Sequence, residues 1–429
     1  MVDTTSKLMS NVSASINGFK LSETRIDLIV LIVFALVLMG LIIWNASRLG
    51  MIENSRKKLE KLYPNPTNES YFNGPNNIKP SALALFDNDN STLINYYVKS
   101  AYNCCCGDGY RNNFVDLYAL ERVIGNGCRF LDFEVYSYNN DPIVASSTAN
   151  NNNIKETYNA LLLKDVLTKT TETAFDETKT ICANDPLILN FRIMSTNLTM
   201  LEKIGDLFEE YLDKSINANF SLLKNYKGAA MKNVKMRDLY RKIIIICDFN
   251  PSPNIIINTR LAKLANYINL KGKGFDCKTY RYDEIIAKGQ NNSNFIAETQ
   301  THFTIVLPNV QDNSIDNFDY GISYSSGCHA ICMKHQNLDN NLKSYNSIFS
   351  DGNKFSWKQK DVALLLIAPP SITTSQGIAI TTPPTSETST SVSETLIGGS
   401  EQGLLSLTSD PITTTPPPTS TTLSQSQLG

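Results

Sequence analysis

The chain has 429 residues, of which 42% are hydrophobic and 19% are charged, and its 39 basic and 41 acidic residues leave a net charge of −2. This balance excludes a strongly basic nucleic-acid-binding protein and an acidic disordered protein, so we expect no nucleic-acid partner. Nine cysteines are too few for a disulfide scaffold, and the spacing of Cys and His matches no structural zinc site. The length allows two or three domains, or one barrel of about 250 residues with additional segments.

The first predicted element is a transmembrane helix. Residues 28–44 are apolar and carry no charge, and the uncharged stretch continues to Ser47. As a helix, residues 28–47 span roughly 30 Å, which matches the hydrocarbon core of a membrane. Trp44 lies at the end of the run, where interfacial aromatic residues are common. A cleaved signal peptide is the weaker interpretation, because the preceding residues 1–27 include acidic side chains and the apolar run is long for a leader.

The charges that flank the run predict the orientation of the chain. Lys7, Lys20 and Arg25 precede the run, whereas Arg48, Arg56, Lys57, Lys58 and Lys61 follow it. The positive-inside rule therefore predicts a single-pass membrane protein whose C-terminal bulk lies on the cytosolic side, or in the interior of a virion. Three N-glycosylation sequons, which begin at Asn90, Asn197 and Asn219, favour the opposite orientation. The chain is rich in Asn, however, so sequons are expected by chance.

Two further regions lie outside the predicted folded core. Residues 48–80 are predicted to be a linker, because four prolines exclude a long helix from its second half. Residues 368–429 contain no Lys, Arg or aromatic residue and are rich in Ser, Thr and Pro, so we predict a disordered tail. An O-glycosylated stalk is the alternative interpretation, and it would require an exterior location.

Residues 81–367 are predicted to form one α/β domain. Apolar runs of strand length recur at residues 129–136, 186–193, 242–249, 303–308 and 329–336, with helical patterns between them. The third run contains four consecutive Ile residues, which is typical of a strand that is buried on both faces. The alternation and the length predict a TIM-type (β/α)8 barrel. A doubly wound sheet is the main rival, but no Gly-rich phosphate-binding turn follows any of these strands.

Two of the predicted strands carry polar residues at alternate positions, Asp132 with Glu134 and Asn190 with Arg192. Residues at i and i+2 of a strand share one face, and a charge within an apolar strand is costly unless it is paired or bound to a ligand. Because barrel active sites lie at the C-terminal ends of the strands, these residues indicate either a salt bridge in the barrel interior or the lining of a pocket. The pattern alone does not decide between the two.

Five stretches of the core resemble the X and Y halves of phosphatidylinositol-specific phospholipase C. They are Y-A-L at 118–120, G-C-R-F-L-D-F-E at 127–134, L-K-D-V-L at 163–167 with A-F at 174–175, P-L-I-L at 186–189, and S-S-G-C-H-A at 325–330 continuing to Gln336. Their order and spacing hold over residues 100–360. The resemblance implies a distorted TIM barrel that hydrolyses the phosphodiester of an inositol lipid. It also implies a lipid membrane and a phosphoinositide or related head group as partners.

Two His residues act in catalysis in that family: one stabilises the phosphate in the transition state, and the other protonates the leaving group. Tyr102 and Ser146 stand at the matching positions here. A phenol has a pKa near 10 and an aliphatic hydroxyl a far higher one, so neither is suited to proton transfer at pH 7. His329 and His335 lie elsewhere in the sequence, and we predict that they are ordinary structural or exposed residues.

Eukaryotic members of the family bind calcium through Asn, Glu, Asp and Glu. Asn103 is retained, Asp132 and Glu134 keep the middle carboxylates with the two acids exchanged, and Arg192 replaces the fourth ligand. We expect Arg192 to exclude calcium and to pair with the two carboxylates in its place. No metal or other cofactor is therefore predicted, and Asn103, Asp132 and Glu134 are remnants of the metal site. Bacterial members use an Arg in place of calcium, but they retain both His residues.

These substitutions lead to two hypotheses. In the first, the chain is a pseudoenzyme that binds a membrane or a head group, with Asn103, Asp132, Glu134 and Asn190 as binding residues. In the second, it is an active, metal-independent phosphoric diester hydrolase that uses Tyr102 and Arg192 with the two carboxylates, Ser146 standing at the other catalytic position. A structural membrane protein whose barrel is a spacer is a third possibility, and it would bind no head group.

Overall fold

The computed structural model describes residues 23–63, 90–149, 154–180, 182–214, 219–250, 252, 254–309, 313–349, 356–361 and 364. The chain divides into two compact units, residues 1–372 and 373–429, and all described residues belong to the first. The predicted tail at 368–429 and most of the N-terminal segment 1–27 lie outside the described residues.

Strands and helices alternate along the described chain. The helices are α1 (Glu23–Leu62), α2 (Leu117–Gly125), α3 (Leu163–Ala174), α4 (Leu198–Leu207), α5 (Ala262–Tyr267), α6 (Tyr282–Lys288), α7 (Ser293–Thr301), α8 (Gly321–Ser325) and α9 (Asn340–Ile348). The strands are β1 (Tyr96–Ala101), β2 (Phe130–Tyr138), β3 (Asp141–Ala145), β4 (Leu161–Leu162), β5 (Leu187–Ile193), β6 (Ser221–Leu222), β7 (Lys242–Phe249), β8 (Leu270–Lys271), β9 (Cys277–Arg281), β10 (Phe303–Leu307), β11 (Ala330–Met333) and β12 (Trp357–Gln359). The five predicted strands correspond to β2, β5, β7, β10 and β11.

Eight parallel strands follow one another around a curled sheet in chain order, and the two-residue β6 pairs in parallel with the start of β7, on the edge that β8 also uses. From β1, pairing continues through β2, β5, β7 and β8 in one direction, and through β11, β10 and β9 in the other. This is the strand order of a (β/α)8 barrel, and it excludes the doubly wound rival, in which the order reverses at a switch point. Among the described residues, β8 and β9 share no pairing, so the barrel has one open seam.

Alternate residues of β2 and β5 face opposite sides of the sheet. The rings of Phe133 and Phe191 stack with their centroids 5.5 Å apart, and Phe191 also packs 5.1 Å from Phe208, which directly follows α4. These contacts direct the odd-numbered residues of the two strands toward the surrounding helices. The even-numbered polar residues, Asp132 and Arg192 among them, therefore face the interior of the barrel.

Helix α1 is one continuous helix of 40 residues, and it includes residues 48–62, which the sequence pattern assigns to the linker. Its apolar side chains from Ile26 to Trp44 are exposed, and among the described helices α1 alone is long and apolar enough to cross a membrane. Its last turns pack on the barrel: Leu59 is buried, and Tyr63 Oη donates a hydrogen bond of 2.7 Å to His335 O. The helix continues because Pro64 is the first residue after Trp44 that cannot extend it.

Candidate functional site

Strand register brings the predicted polar pairs together. In the parallel pairing of β2 with β5, Asp132 lies opposite Asn190 and Glu134 lies opposite Arg192. On the other edge of β5, Arg192 lies opposite Asp248 of β7. Arg192 and Asp248 each lie one residue before the C-terminal end of their strand, which is the end where (β/α)8 enzymes carry their active sites, and strand register places Asp132 and Glu134 beside them.

Arg192 lies at the centre of a buried cluster, the arginine cage, formed by Asn103, Asp132, Glu134 and Asn190 around its guanidinium. Nε and Nη2 donate to the two carboxylate oxygens of Asp132 at 2.9 and 2.8 Å. Nη1 donates to Glu134 Oε1 at 2.7 Å, and Nη2 donates to Asn103 Oδ1 at 2.8 Å. Asn190 Nδ2 adds a bond of 2.8 Å to Asp132 Oδ1. The side chain of Arg192 is only 4% exposed, so the bonds form out of contact with bulk water.

Neighbouring groups hold the acceptors of the cage in place. Glu134 Oε2 accepts hydrogen bonds from Tyr136 Oη at 2.8 Å and from Ser147 N at 2.9 Å. Asn103 has a φ of 41°, in the left-handed region that Asn tolerates better than most residues, and its N–H donates to Asp132 Oδ2 at 3.2 Å. This turn after β1 directs the Asn103 amide toward the guanidinium.

Electrostatics keep the guanidinium charged despite its burial. Loss of hydration opposes the charge, but the negative charges of Asp132 and Glu134 outweigh it and hold the pKa of Arg192 well above its ordinary value. One guanidinium and two carboxylates give the cage a formal charge of −1. Arg192 of β5 pairs with Asp132 and Glu134 of β2. These ion pairs hold the two strands together, because separating them would leave uncompensated charges in the interior.

The donor set does not fit a calcium ion while Arg192 holds this position. The guanidinium nitrogens lie 2.7–2.9 Å from the oxygens of Asn103, Asp132 and Glu134, which are the atoms a calcium ion would need as ligands. A positive charge already lies among them, and Arg192 supplies hydrogen-bond donors where a calcium ion would need oxygen ligands. Among the described residues, no group of three or more His, Cys, Asp or Glu side chains is arranged to hold a metal.

Tyr102 and Ser146, which the resemblance aligns with two catalytic His residues, both lie beside the cage. The Tyr102 ring faces Arg192, with the guanidinium carbon 4.9 Å from the ring centroid, and burial raises the pKa of Tyr102. Ser146 is fully buried, and its hydroxyl donates a hydrogen bond of 2.9 Å to Tyr110 O. Neither group is arranged to exchange a proton near neutral pH.

His329 and His335 are buried in structural contacts outside the cage. Nδ1 of His329 accepts a hydrogen bond of 3.0 Å from Thr304 N, and Nε2 of His335 lies 3.3 Å from both Cys128 Sγ and Ser100 O. Burial lowers the pKa of His335 to about 3 and that of His329 well below its ordinary value. Both rings are therefore neutral at pH 7, which agrees with the structural role predicted for them.

A pocket of about 550 Å³ opens beside the cage at the C-terminal face of the barrel, and Arg192 forms part of its wall. Lys273 and Arg281 add positive charge to this wall. Lys273 Nζ lies 3.4 Å from Asp248 Oδ2, whereas Arg281 Nη1 donates to Pro308 O at 2.9 Å. Arg281 forms no ion pair within the described part of the chain, so its guanidinium can receive an anionic ligand.

Sequence reasoning missed Lys273 and Arg281. Arg281 ends β9, whose sequence C-K-T-Y-R has too few apolar residues to be recognised as a strand. Lys273 lies in a K-G-K-G turn directly after β8, which is only two residues long. The Gly-flanked Lys is the one local signal that could have pointed to this part of the pocket.

No family model matches the chain, and no curated protein sequence matches it. Solved structures do match the fold of the chain. PLC21 of S. officinalis aligns with a TM-score of 0.53 and 15% identity over 70% of this chain and 41% of its own. PLC21 of L. pealei aligns with a TM-score of 0.50 and 15% identity over 65% of this chain and 38% of its own. The chain thus spans about two fifths of the length of these proteins. It shares its fold with these two PLC21 structures.

Proposed function

We propose that the chain is a membrane-anchored barrel that has lost efficient phosphodiester hydrolysis and binds the phosphodiester head group of a membrane lipid. The observation that carries this proposal is the position of the Arg192 guanidinium. It makes four hydrogen bonds to Asn103, Asp132 and Glu134, so the oxygens that resemble a calcium site are already satisfied. The cage is then a fixed structural element beside the pocket.

The absence of suitable proton-transfer groups at the two His positions supports the loss of turnover. Hydrolysis of a phosphodiester needs a base for the attacking hydroxyl and an acid for the leaving oxygen. Tyr102 has a raised pKa, and the Ser146 hydroxyl is used in a bond to the backbone. Removing one acid or base group lowers a rate by about 10²–10⁴-fold, and both are replaced in this chain.

The pocket supports head-group binding. Its volume of about 550 Å³ falls within the range typical of small-ligand sites. The Arg281 guanidinium presents paired donors that suit two oxygens of one phosphate, and Lys273 adds a second cation. Asp283 and Glu284 also line the pocket, and their carboxylates can accept hydrogen bonds from the hydroxyls of a polyol head group.

The exposed apolar part of α1 supports insertion into a membrane, and the basic residues that follow it favour a cytosolic barrel. The contacts of the sequon residue Asn197 support this orientation. Asn197 Nδ2 donates to both Ser137 Oγ at 3.0 Å and Asn140 Oδ1 at 2.8 Å, so both of its hydrogens are in use. A glycan on this nitrogen would remove one of the two bonds.

The test combines turnover and binding on the full-length chain in lipid nanodiscs. We expect no hydrolysis of phosphatidylinositol above background, either with calcium or with chelator, and measurable binding of a soluble inositol phosphate by calorimetry. Arg281→Gln should weaken this binding at least tenfold. Arg260→Gln is the matched control, because Arg260 is an exposed Arg paired with Glu202 outside the pocket. Absence of binding to the wild-type chain would favour the structural-spacer hypothesis instead.

A metal-independent phosphodiesterase is the second candidate, because Arg192 lines the pocket and carries a fixed positive charge beside any bound phosphate. This candidate predicts turnover that chelator does not change and that Arg192→Lys and Tyr102→Phe both abolish. Turnover that requires calcium would contradict both candidates, since it would need a ligand set that includes no guanidinium.

A further inference from the structure

The pocket beside the cage is lined by as many carboxylates as cations. The cations are Arg192, Lys273 and Arg281, and the carboxylates are Asp248, Asp283 and Glu284. A site that receives only phosphate groups is expected to carry an excess of positive charge, because like charges repel the ligand. The charges that the protein has already paired with one another therefore decide which charges a ligand can neutralise.

Ion pairs within the protein use two of the three cations. Arg192 is held by Asp132 and Glu134 of the cage at 2.8 and 2.7 Å. Lys273 Nζ lies 3.4 Å from Asp248 Oδ2, and the side chain of Asp248 is only 6% exposed. Most of the charge of these two cations is thus compensated before a ligand enters. The same holds for the carboxylate of Asp248.

The other three charged side chains form no ion pair within the described part of the chain. Arg281 ends β9, and Asp283 and Glu284 lie in the first turn of α6, where both are exposed. Each carboxylate accepts one backbone N–H: Asp283 Oδ1 from Glu284 N at 3.0 Å, and Glu284 Oε2 from Arg281 N at 2.6 Å. These bonds orient the two carboxylates and leave the second oxygen of each available to a ligand.

One unpaired guanidinium beside two unpaired carboxylates suits a ligand that carries both signs of charge. A phosphodiester bears one negative charge, which the paired donors of a guanidinium bind well. A primary ammonium bears a positive charge and three N–H donors, which two carboxylate oxygens complement. A polyol hydroxyl can donate to the same oxygens but brings no charge, and a further phosphate group would bring negative charge toward the carboxylates.

We propose that the pocket takes a head group in which a phosphodiester is joined to a primary ammonium by a short alkyl chain, as in ethanolamine phospholipids. Arg281 binds the phosphate, and Asp283 and Glu284 bind the ammonium. The inference rests on the proposed head-group binding and names the class of head group. Because the two carboxylates are two and three residues from Arg281 in the chain, the charged groups of the ligand must also be close together.

Calorimetry on the full-length chain in maltoside micelles, which contain neither phosphate nor amine, tests this selectivity. The probes are glycerophosphoethanolamine, glycerophosphocholine and glycerophosphoinositol, which share one phosphodiester and differ in the group attached to it. We expect the ethanolamine diester to bind at least tenfold more tightly than the other two. It alone brings both a positive charge and N–H donors to the carboxylates.

A double variant, Asp283→Asn with Glu284→Gln, removes both negative charges and keeps the oxygens that accept the two backbone N–H bonds. We expect it to reduce the preference for the ethanolamine diester to less than threefold. Asp165→Asn is the matched control and should keep the full preference, because Asp165 is an exposed residue in the first turn of α3, outside the pocket. The comparison of the three ligands on the wild-type chain does not depend on the folding of any variant.

The outcomes separate this inference from the proposed function. Equal or tighter binding of the inositol diester would overturn the inference and leave head-group binding in place, and equal binding of the choline diester would overturn the assignment to a primary ammonium. No binding of any of the three diesters would overturn both proposals. In phosphatidylcholine nanodiscs, added phosphatidylethanolamine should lower the apparent affinity for the soluble ethanolamine diester by occupying the pocket. An unchanged affinity would overturn the assignment to a membrane lipid.

Discussion

Replacement of Arg192 by Met removes the charge and all hydrogen-bond donors of the guanidinium while roughly preserving the volume of the side chain. Asp132 and Glu134 are then left buried, at 0% and 2% exposure, with their negative charges opposed by no cation in the cage. Breaking one side of a buried ion pair costs about 3–5 kcal/mol, far more than the loss of a surface pair. For a domain of this size that corresponds to a fall in the melting temperature of about 10 °C.

Fluorescence of Trp357 provides the assay. The chain has two Trp residues, and Trp357 is buried in the barrel with Nε1 donating to Pro186 O at 3.3 Å. In a Trp44→Phe background, thermal unfolding therefore reports on the barrel alone. Arg260→Met is the control, because Arg260 makes two bonds to Glu202, at 2.9 and 2.7 Å, but its side chain is 53% exposed. Its loss should cost less than about 1 kcal/mol.

The two unpaired carboxylates give the Arg192→Met variant a distinct pH dependence. Burial without a cation raises the pKa of a carboxyl above its unfolded value, so protonation stabilises the variant and the deficit relative to the wild type shrinks as the pH falls from 7 to 5. Adding Asp132→Asn restores the formal charge of −1 and should recover about half of the lost stability. A deficit below about 1 kcal/mol at pH 7, equal to that of Arg260→Met, would refute the cage as a buried charged cluster.

Three further predictions concern other parts of the chain. Arg192→Glu restores a carboxylate at the fourth ligand position, so we expect calcium to raise the melting temperature of this variant and not that of the wild type. At a calcium concentration 100 times the dissociation constant, the variant should gain about 2.7 kcal/mol of stability. Lys360 Nζ lies 2.9 Å from His329 Nε2, and burial lowers the pKa of Lys360 to about 7 from 10.5. Between pH 7 and 10.5 the unfolded chain therefore binds more protons than the folded chain, so stability rises with pH across that window by up to about 1.4 kcal/mol per pH unit. Lys360→Met should flatten the corresponding rise in melting temperature. Glycosidase treatment of the chain expressed in eukaryotic cells should leave its mass unchanged, and an N-glycan at Asn197 would reverse the proposed orientation.

The barrel and the apolar run could be predicted from the sequence because both depend on local patterns. Residues 243–247 are apolar throughout, and β7 spans residues 242–249 around them, because a strand covered on both faces needs no polar alternation. The shared face of Asp132 and Glu134 follows from the two-residue period of a strand. The strand β1 is not among those predicted from the sequence, since Lys99 and Ser100 interrupt its apolar character although both are buried.

The sequence by itself determined the strand periodicity and the membrane-length apolar run, because each of these is a property of neighbouring residues. Only the tertiary structure decided between a salt bridge and an open pocket around Arg192. Its partners Asp132 and Asn103 lie 60 and 89 residues away, and their approach depends on strand register. The same holds for the docking of α1, whose Tyr63 meets His335 across 272 residues. Contacts at such separations leave no periodic trace in the chain, so the folded sheet alone sets which charges are paired and which face the pocket.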